Sequence, residues 1–393
     1  MSALPLWAYP LLFLGALALS ALLTPVALGF ATRHGILDHP APGKSHTKAV
    51  PYLGGAAIVA AFSAALVLGA LVDPPSKGLA QLAALLGMAL VLAVVGLADD
   101  VRGLPIWLRL AVEVGAGVGV WATGAVMHLA GFPGWADDLV SVAWVVVVTN
   151  AFNLLDNMDG LSAGVASIGA LGLFGIAVVR GEFLVAALAV ALAGCAAGFL
   201  RHNFHPARIY MGDAGSLFLG FLLSVLALKL RDNPATRVDV AALVAVLGVA
   251  LFDTALVVTS RVAHRRSPFM GGQDHTSHRL VHLGLPVRAA VGVVYGTAAL
   301  LASIGVLLGQ ASSSVHIAGI VVLAIAGIVA LAMLALVPVY GDSLDERMSA
   351  GLLGRAVRGG RAWTSSAGLP DAPARDLQAG LERRGEAAPD GST

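Results

Sequence analysis

Apolar runs constrain this chain more than any other feature. Stretches such as "VASIGALGLFGIAVV" and "FLVAALAVALAGCAAGFL" recur from one end to the other, separated by short polar, Gly or Pro punctuation. A helix rises about 1.5 Å per residue and the hydrocarbon core is about 30 Å thick, so a run of about 18 apolar residues or more is long enough to span a bilayer. Only 12% of the residues are charged, whereas an ordinary soluble domain carries about 25%. These features predict an all-α polytopic membrane protein.

Eleven spans are drawn from the pattern, at 7–31, 53–72, 79–98, 106–130, 138–155, 161–179, 183–200, 214–230, 239–260, 288–310 and 317–339. The first lacks a basic leader and a small-residue cleavage site, so it reads as a retained helix and not a signal peptide. An odd number of spans puts the termini on opposite sides. Of the 24 Lys and Arg, 19 fall in one set of connections, in the C-terminal segment and at two helix ends. The positive-inside bias makes that side cytoplasmic, with the N-terminus outside. Residues 1–340 read as an integral membrane domain. Residues 341–393, rich in Ala, Gly, Arg and acids, read as a disordered cytoplasmic tail. The net charge of +1 gives no case for nucleic acid, and a lone cysteine, Cys195, excludes an intramolecular disulfide.

The acids then fall in a pattern. Asp99 and Asp100 end the third span in "GLADDVRG", Asp156 and Asp159 end the fifth in "NLLDNMDG", and Asp213 opens the eighth in "YMGDAGSLFLG". The topology places all of them at the cytoplasmic rim, with Asp253 somewhat deeper in the ninth span. Acids at a helix C-terminus oppose its dipole, and close carboxylates repel each other. A divalent cation relieves both costs. Oxygen-only ligands at a wet rim suit Mg²⁺ or Mn²⁺. Asp213 is also placed to cap its own helix. Asn150, Asn153 and Asn157, spaced by three and four, share a helical face near Asp156. They are expected to orient carboxylates or bind a polar ligand, with interhelical hydrogen bonding as the plainer alternative.

Two basic loops face the acids. "RHGILDHPAPGKSHTKAVPYLGG" carries Lys44 and His46, and "RVAHRRSPFMGGQDHTSHRLVHLGLPVR" carries Arg265, His275, His278 and Arg279. Positive-inside charge explains most of the Arg and Lys, but not His275 and His278, which can donate to a phosphate or act as acid or base. Acids for a metal with cationic loops for phosphates suggest a phosphate-containing substrate handled at the membrane surface. The chain has no Walker A motif and no dinucleotide fingerprint.

"LADD", "NAFNLLDNMDGLSAG", "PARIYMGDAGSLFLGF", the His-containing loop and "DHPAPGKSHTKAVPYLGG" together resemble the polyprenyl-phosphate N-acetylhexosamine-1-phosphate transferases. The resemblance implies transfer of a sugar-1-phosphate, GlcNAc-1-phosphate in the favoured branch, from a UDP-sugar to undecaprenyl or decaprenyl phosphate. It further implies release of UMP, use of Mg²⁺ or Mn²⁺, and the start of a cell-envelope glycan at the inner (plasma) membrane. Under it, Asp99 and Asp100 would handle the lipid phosphate, with Asp99 the better candidate for base or nucleophile. Asp213 would bind the metal. Asn153, Asp156 and Asp159 would hold the nucleotide and organise the metal, and His275 and His278 would contact the pyrophosphate. Lys44, His46, Asn150, Arg265 and Arg279 complete the expected substrate set. The family's loop often reads HxHH, whereas Ser277 here occupies the middle position of "HTSH", which removes a cationic donor. The phospho-MurNAc-pentapeptide branch is the alternative within the family, and a transporter or a non-catalytic scaffold the alternatives outside it. A homodimer through apolar helix faces fits the composition, although no motif marks it.

Overall fold

The computed structural model describes residues 5–39, 48–72, 78–129, 131–232, 238–310 and 313–339. The predicted tail lies outside the described residues, as do Lys44 and His46. The chain opens with α1 (Ala8–His34), a two-stranded antiparallel pair of β1 (Leu37–Asp38) and β2 (Val50–Pro51), then α2 (Gly54–Val72), α3 (Leu79–Arg102), α4 (Ile106–Ala122) and α5 (Gly134–Leu155). It continues with α6 (Leu161–Arg180), α7 (Phe183–Asn203), α8 (Gly212–Asp232), α9 (Val240–Val246), α10 (Gly248–Ala263), α11 (Thr276–His282), α12 (Val287–Leu308) and α13 (Ser313–Ala335).

Nine of the described helices are long and apolar enough to cross a membrane, ten when α9 and α10 are taken together. The protein is therefore an all-α, multi-pass membrane protein. Two of the eleven expected spans differ in detail. The ninth, expected as one continuous run, bends by 79° between Val246 and Gly248. Apolar periodicity continues through the break and so cannot reveal it. The fourth helix ends at Ala122, and only 17 residues are helical. Pro105 stands in extended conformation just before its start, as proline geometry favours at a helix entrance.

The three helices α6, α7 and α8 form the centre. About nine-tenths of the apolar window of α8 is buried, against none of that of α13. An apolar helix left uncovered suits lipid as its solvent. Small residues let the central backbones approach. At Gly96 of α3 an added Cβ would lie 2.5 Å from the carbonyl carbon and oxygen of Asp213. Those atoms are backbone and cannot swing aside. Gly96→Ala is expected to destabilise the protein by about 1–3 kcal/mol, and Gly96→Val by more, read as a lower unfolding temperature in detergent. Equal stability of all three would mean that α3 and α8 do not meet here.

The strand pair closes the start of the first basic loop onto the central helices. Tyr210 N–H donates to Pro51 O at 2.8 Å, and Gly54 and Gly55 N–H donate to Tyr210 O and Met211 O at 2.9 Å each. This stitching seats the "YMGDAG" turn beside the β-pair.

Candidate active site

Three motifs far apart in sequence meet at one end of the central helices. They line a cleft of about 390 Å³ whose walls include Asp100, Asp156, Asp159, Asp213, Asn203, Tyr210 and His278. Its floor is the N-terminus of α8. Asp100, from the end of α3, accepts from the Asp213 N–H at 3.0 Å and the Ala214 N–H at 3.4 Å. A helix N-terminus leaves its first N–H groups unpaired and partly positive, so a carboxylate there is stabilised. The expected cap was Asp213 itself; the structure gives the role to Asp100, because Asp213 already lies within the first turn of α8. Gly212 makes the close approach, with φ +67° and no room for a Cβ, which would meet Asp100 Oδ2 at 2.4 Å.

Asp213 is thereby turned toward a charged neighbour. Its Oδ2 accepts from Arg109 Nη1 at 2.8 Å, and its Oδ1 accepts from Asn153 Nδ2 at 2.7 Å. Arg109 Nη1 also reaches Asp99 Oδ2 at 2.9 Å, while Asp99 Oδ1 accepts from the Leu104 N–H at 2.6 Å. Asp99 is thus spoken for by Arg109 and a backbone amide and is not in the cleft wall, unlike Asp100. The adjacent acids have diverged because successive helical residues point about 100° apart.

Asp156 terminates α5 and its carboxyl accepts no hydrogen bond among the described residues. Burial, and then the charges of Asp213, Asp100 and Asp159, push its pKa well above the usual carboxylate range. Asp159 has been drawn to the cleft edge, where Oδ2 faces His205 Nδ1 at 2.8 Å and accepts from the Ala207 N–H at 3.0 Å. Asn203 holds the turn between them, accepting from the Gly160 N–H at 3.0 Å and donating to Ile209 O at 3.0 Å.

The His-containing loop closes over this floor. His275 is buried and its Nδ1 lies 2.7 Å from Asp253 Oδ2, whose other oxygen accepts from the Thr276 N–H at 2.7 Å. Asp253, expected only as the deeper acid of the ninth span, is therefore the anchor of the loop, and His275 is not in the cleft wall. His278 is the histidine in the wall. Burial first, then the neighbouring His275, depress its pKa from 6.5 to about 4, so it is neutral at pH 7. Ser277 donates to Asn157 Oδ1 at 2.7 Å, which ties the loop to the "NLLDNMDG" motif.

A neutral native histidine that is protonated in the unfolded chain makes the unfolded state bind more protons below pH 6.5, so its contribution to stability falls as the pH falls from there toward 4. The loss is at most about 1.4 kcal/mol per pH unit. Unfolding of His278→Gln, followed from pH 7 to 4.5, is expected to show a shallower acid slope than the parent. Superimposable curves would mean that His278 titrates as an exposed histidine.

Other expected contacts take different places. Arg279 is fully buried, and its guanidinium donates to Asp274 O at 2.9 Å, Leu334 O at 2.7 Å, Val337 O at 2.9 Å and Ser260 Oγ at 2.8 Å. It ties α11 to the end of α13 and is not in the cleft wall. Asn150 donates to buried Glu113 and to Val146 O, on the far side of Arg109 from the cleft. Arg265 is exposed with φ 56° at the exit of α10, outside the cleft wall. Arg109 and Glu113 were missed as site residues. Their signal was available, since an Arg and a Glu four apart inside an apolar run are costly unless used.

The carboxylates test whether a hard divalent cation fits. No group of three His, Cys, Asp or Glu stands at ready ligand spacing among the described residues. Mg²⁺ does not need one, because it keeps several waters and binds through one or two carboxylates plus substrate phosphates. Asp156, with no hydrogen-bond donor on it, and Asp213 supply oxygens of that kind in the same cleft. The donor set fits.

Fold and cleft together define a multi-pass membrane protein with an acid-lined polar site at one end of its central helices. Its relatives identify the kind. The family model of glycosyl transferase family 4 matches residues 82–231, which contain all five clustered acids. A Bacillus subtilis protein described as an undecaprenyl-phosphate N-acetylglucosaminyl 1-phosphate transferase is 31% identical over 72% of this chain and 80% of its own length. A Streptomyces coelicolor protein described as a glycosyltransferase is 36% identical over 97% of this chain and 87% of its own. The phospho-N-acetylmuramoyl-pentapeptide-transferase of Heliobacterium modesticaldum is 31% identical over 76% and 97%. The chain belongs to glycosyl transferase family 4.

Proposed function

We propose that this protein transfers a sugar-1-phosphate, GlcNAc-1-phosphate in the favoured reading, from a UDP-sugar to a polyprenyl phosphate and releases UMP. The observation that carries this reading is the convergence of Asp100, Asp156 and Asp213 with His278 on one polar cleft of a membrane protein of this family. A phosphate oxygen of the lipid attacks the sugar-bearing phosphorus of the donor. The bond from that phosphorus to the bridging oxygen breaks, and UMP leaves with that oxygen.

Phosphoryl transfer is mostly positioning and charge neutralisation, and each cleft residue has a part in that. Asp213 and Asp156 would hold Mg²⁺, or Mn²⁺, which when bound neutralises charge on the diphosphate. Asp100 takes the lipid-phosphate side expected of the Asp99–Asp100 pair, since it is the member in the cleft wall. His278, neutral, donates a hydrogen bond to a phosphate oxygen, and Asp253 fixes His275 and the loop behind it. Asn153 orients Asp213, and Asp159 with Tyr210 borders the nucleotide side. The positive-inside bias puts the basic loops on the cytoplasmic side, so the reaction takes place on the inner face of the plasma membrane. A homodimer in the bilayer fits the apolar outer helices.

The test is UMP release by the purified protein in detergent with undecaprenyl phosphate and Mg²⁺. UDP-GlcNAc, UDP-GalNAc and UDP-MurNAc-pentapeptide are supplied separately. Lipid-dependent UMP from UDP-GlcNAc that chelator abolishes is the expected result. UMP from the pentapeptide donor alone would move the protein to the other branch, and none from any donor would overturn the reading.

A further inference from the structure

One pair of groups in the interior is nearly bonded but not bonded. Arg109 Nε and Glu113 Oε1 are both buried without a hydrogen-bond partner, and they lie 3.8 Å apart, one helical turn apart on α4. Glu113 has no exposed side-chain surface. Its other oxygen is held by Asn150 of α5. At the far end of the same guanidinium, Nη1 bridges Asp99 Oδ2 at 2.9 Å and Asp213 Oδ2 at 2.8 Å. Charge-assisted N–H···O bonds close at about 2.7–2.9 Å, so a movement of about 1 Å toward Glu113 would make the missing bond. The same movement would withdraw Nη1 from Asp213.

We propose that Arg109 is a two-position cation, held on Asp213 when the site lacks a metal and drawn back onto Glu113 when a divalent cation takes Asp213. The proposal rests on the metal-dependent reading above. Its physical basis is that two cations on one carboxylate oxygen repel strongly at contact distance. The guanidinium has a second, fully buried acceptor within reach on its own helix. Glu113 is then a positioning residue, and Asn150 keeps that acceptor aimed. Asp99 shares Nη1 with Asp213, which gives the outer acid of the "DD" pair a use although it is absent from the cleft wall.

Direct Mn²⁺ binding, read from loss of the free-ion EPR signal with the full-length protein in detergent, tests this without turnover. Glu113→Gln keeps the shape and removes the charge that receives Arg109, and is expected to weaken Mn²⁺ binding about tenfold. Arg109→Met removes the competitor and is expected to tighten binding. In the Arg109→Met background Glu113→Gln should change affinity by less than about twofold, since the two residues act as one unit. An unchanged affinity in Glu113→Gln, or a loss that persists in the Arg109→Met background, overturns the device and leaves the metal reading intact. Should Glu113→Gln fail to fold, Arg109→Met alone decides, and unchanged or weaker binding overturns it. A folded wild-type protein that binds no Mn²⁺ would refute the metal reading itself, and the device with it.

Discussion

Asp213→Asn is expected to lower UMP release by on the order of 10²–10³-fold or more while leaving the fold intact. The amide is isosteric, and Asn153 can still bond its oxygen side, so little packing is disturbed. The negative charge is what disappears. Asp213 holds Arg109 at 2.8 Å and stands beside Asp100 and Asp156 in the cleft. Neutralising it removes a proposed metal ligand and leaves Arg109 Nη1 with Asp99 as its acid partner. The measurement is initial UMP release at saturating Mg²⁺ alongside the unfolding temperature. Activity within about threefold of wild type would sink the assignment of Asp213, because groups that act on the reacting charge cost far more than that to remove. A large loss accompanied by a large fall in unfolding temperature would place Asp213 among the structural residues.

Asp274→Ala is expected to cost about 3–5 kcal/mol of stability. Asp274 and Arg261 form a two-pronged pair, with Nε and Nη2 donating at 2.8 Å each, and both side chains are almost wholly buried. Removing the acid takes the two-pronged counter-charge from a buried guanidinium, which is the expensive half of a buried ion pair. The bond from Arg261 Nη1 to Pro268 O at 2.7 Å goes to a neutral carbonyl and does not replace the lost charge. Replacing both residues by apolar ones, Arg261→Met with Asp274→Leu, is expected to recover most of the loss, since no charge is left unpaired. Thermal unfolding of the single and double variants in detergent measures this. A double variant as unstable as the single would show that the polar contacts of the loop, and not its charge balance, hold it. Activity should fall with Asp274→Ala as well, because Gly272 and Gln273, just before it, line the cleft.

Much of the candidate site was legible as motifs. The five acids of the cluster were visible because charge is costly next to apolar runs, and the spans themselves follow from length and hydropathy. What the motifs could not give is which oxygen faces what. The side chains of Asp99 and Asp100 differ by one residue, and only the packing of α3 against α8 at Gly96 sends one to Arg109 and the other to the N-terminus of α8. Arg279 sits in a loop rich in cations and reads as a phosphate ligand, yet the carbonyls at the end of α13, some 55 residues away, claim it. His275 and His278 look equivalent in "HTSH"; Asp253 separates them by binding one.

The sequence by itself determined that this chain lives in a bilayer, nearly all of its spans, and the end of the bundle at which its acids gather. Those follow from the cost of exposing apolar surface to water and of burying charge in lipid, which act on each segment alone. Only the tertiary structure decided the break in the ninth span, the cap on α8, the pairing of Arg109 with Asp99 and Asp213, and the orphaned contact between Arg109 and Glu113. Those depend on distances between helices that no periodicity records, because a hydrogen bond is made or lost within about 1 Å while the apolar pattern tolerates far more.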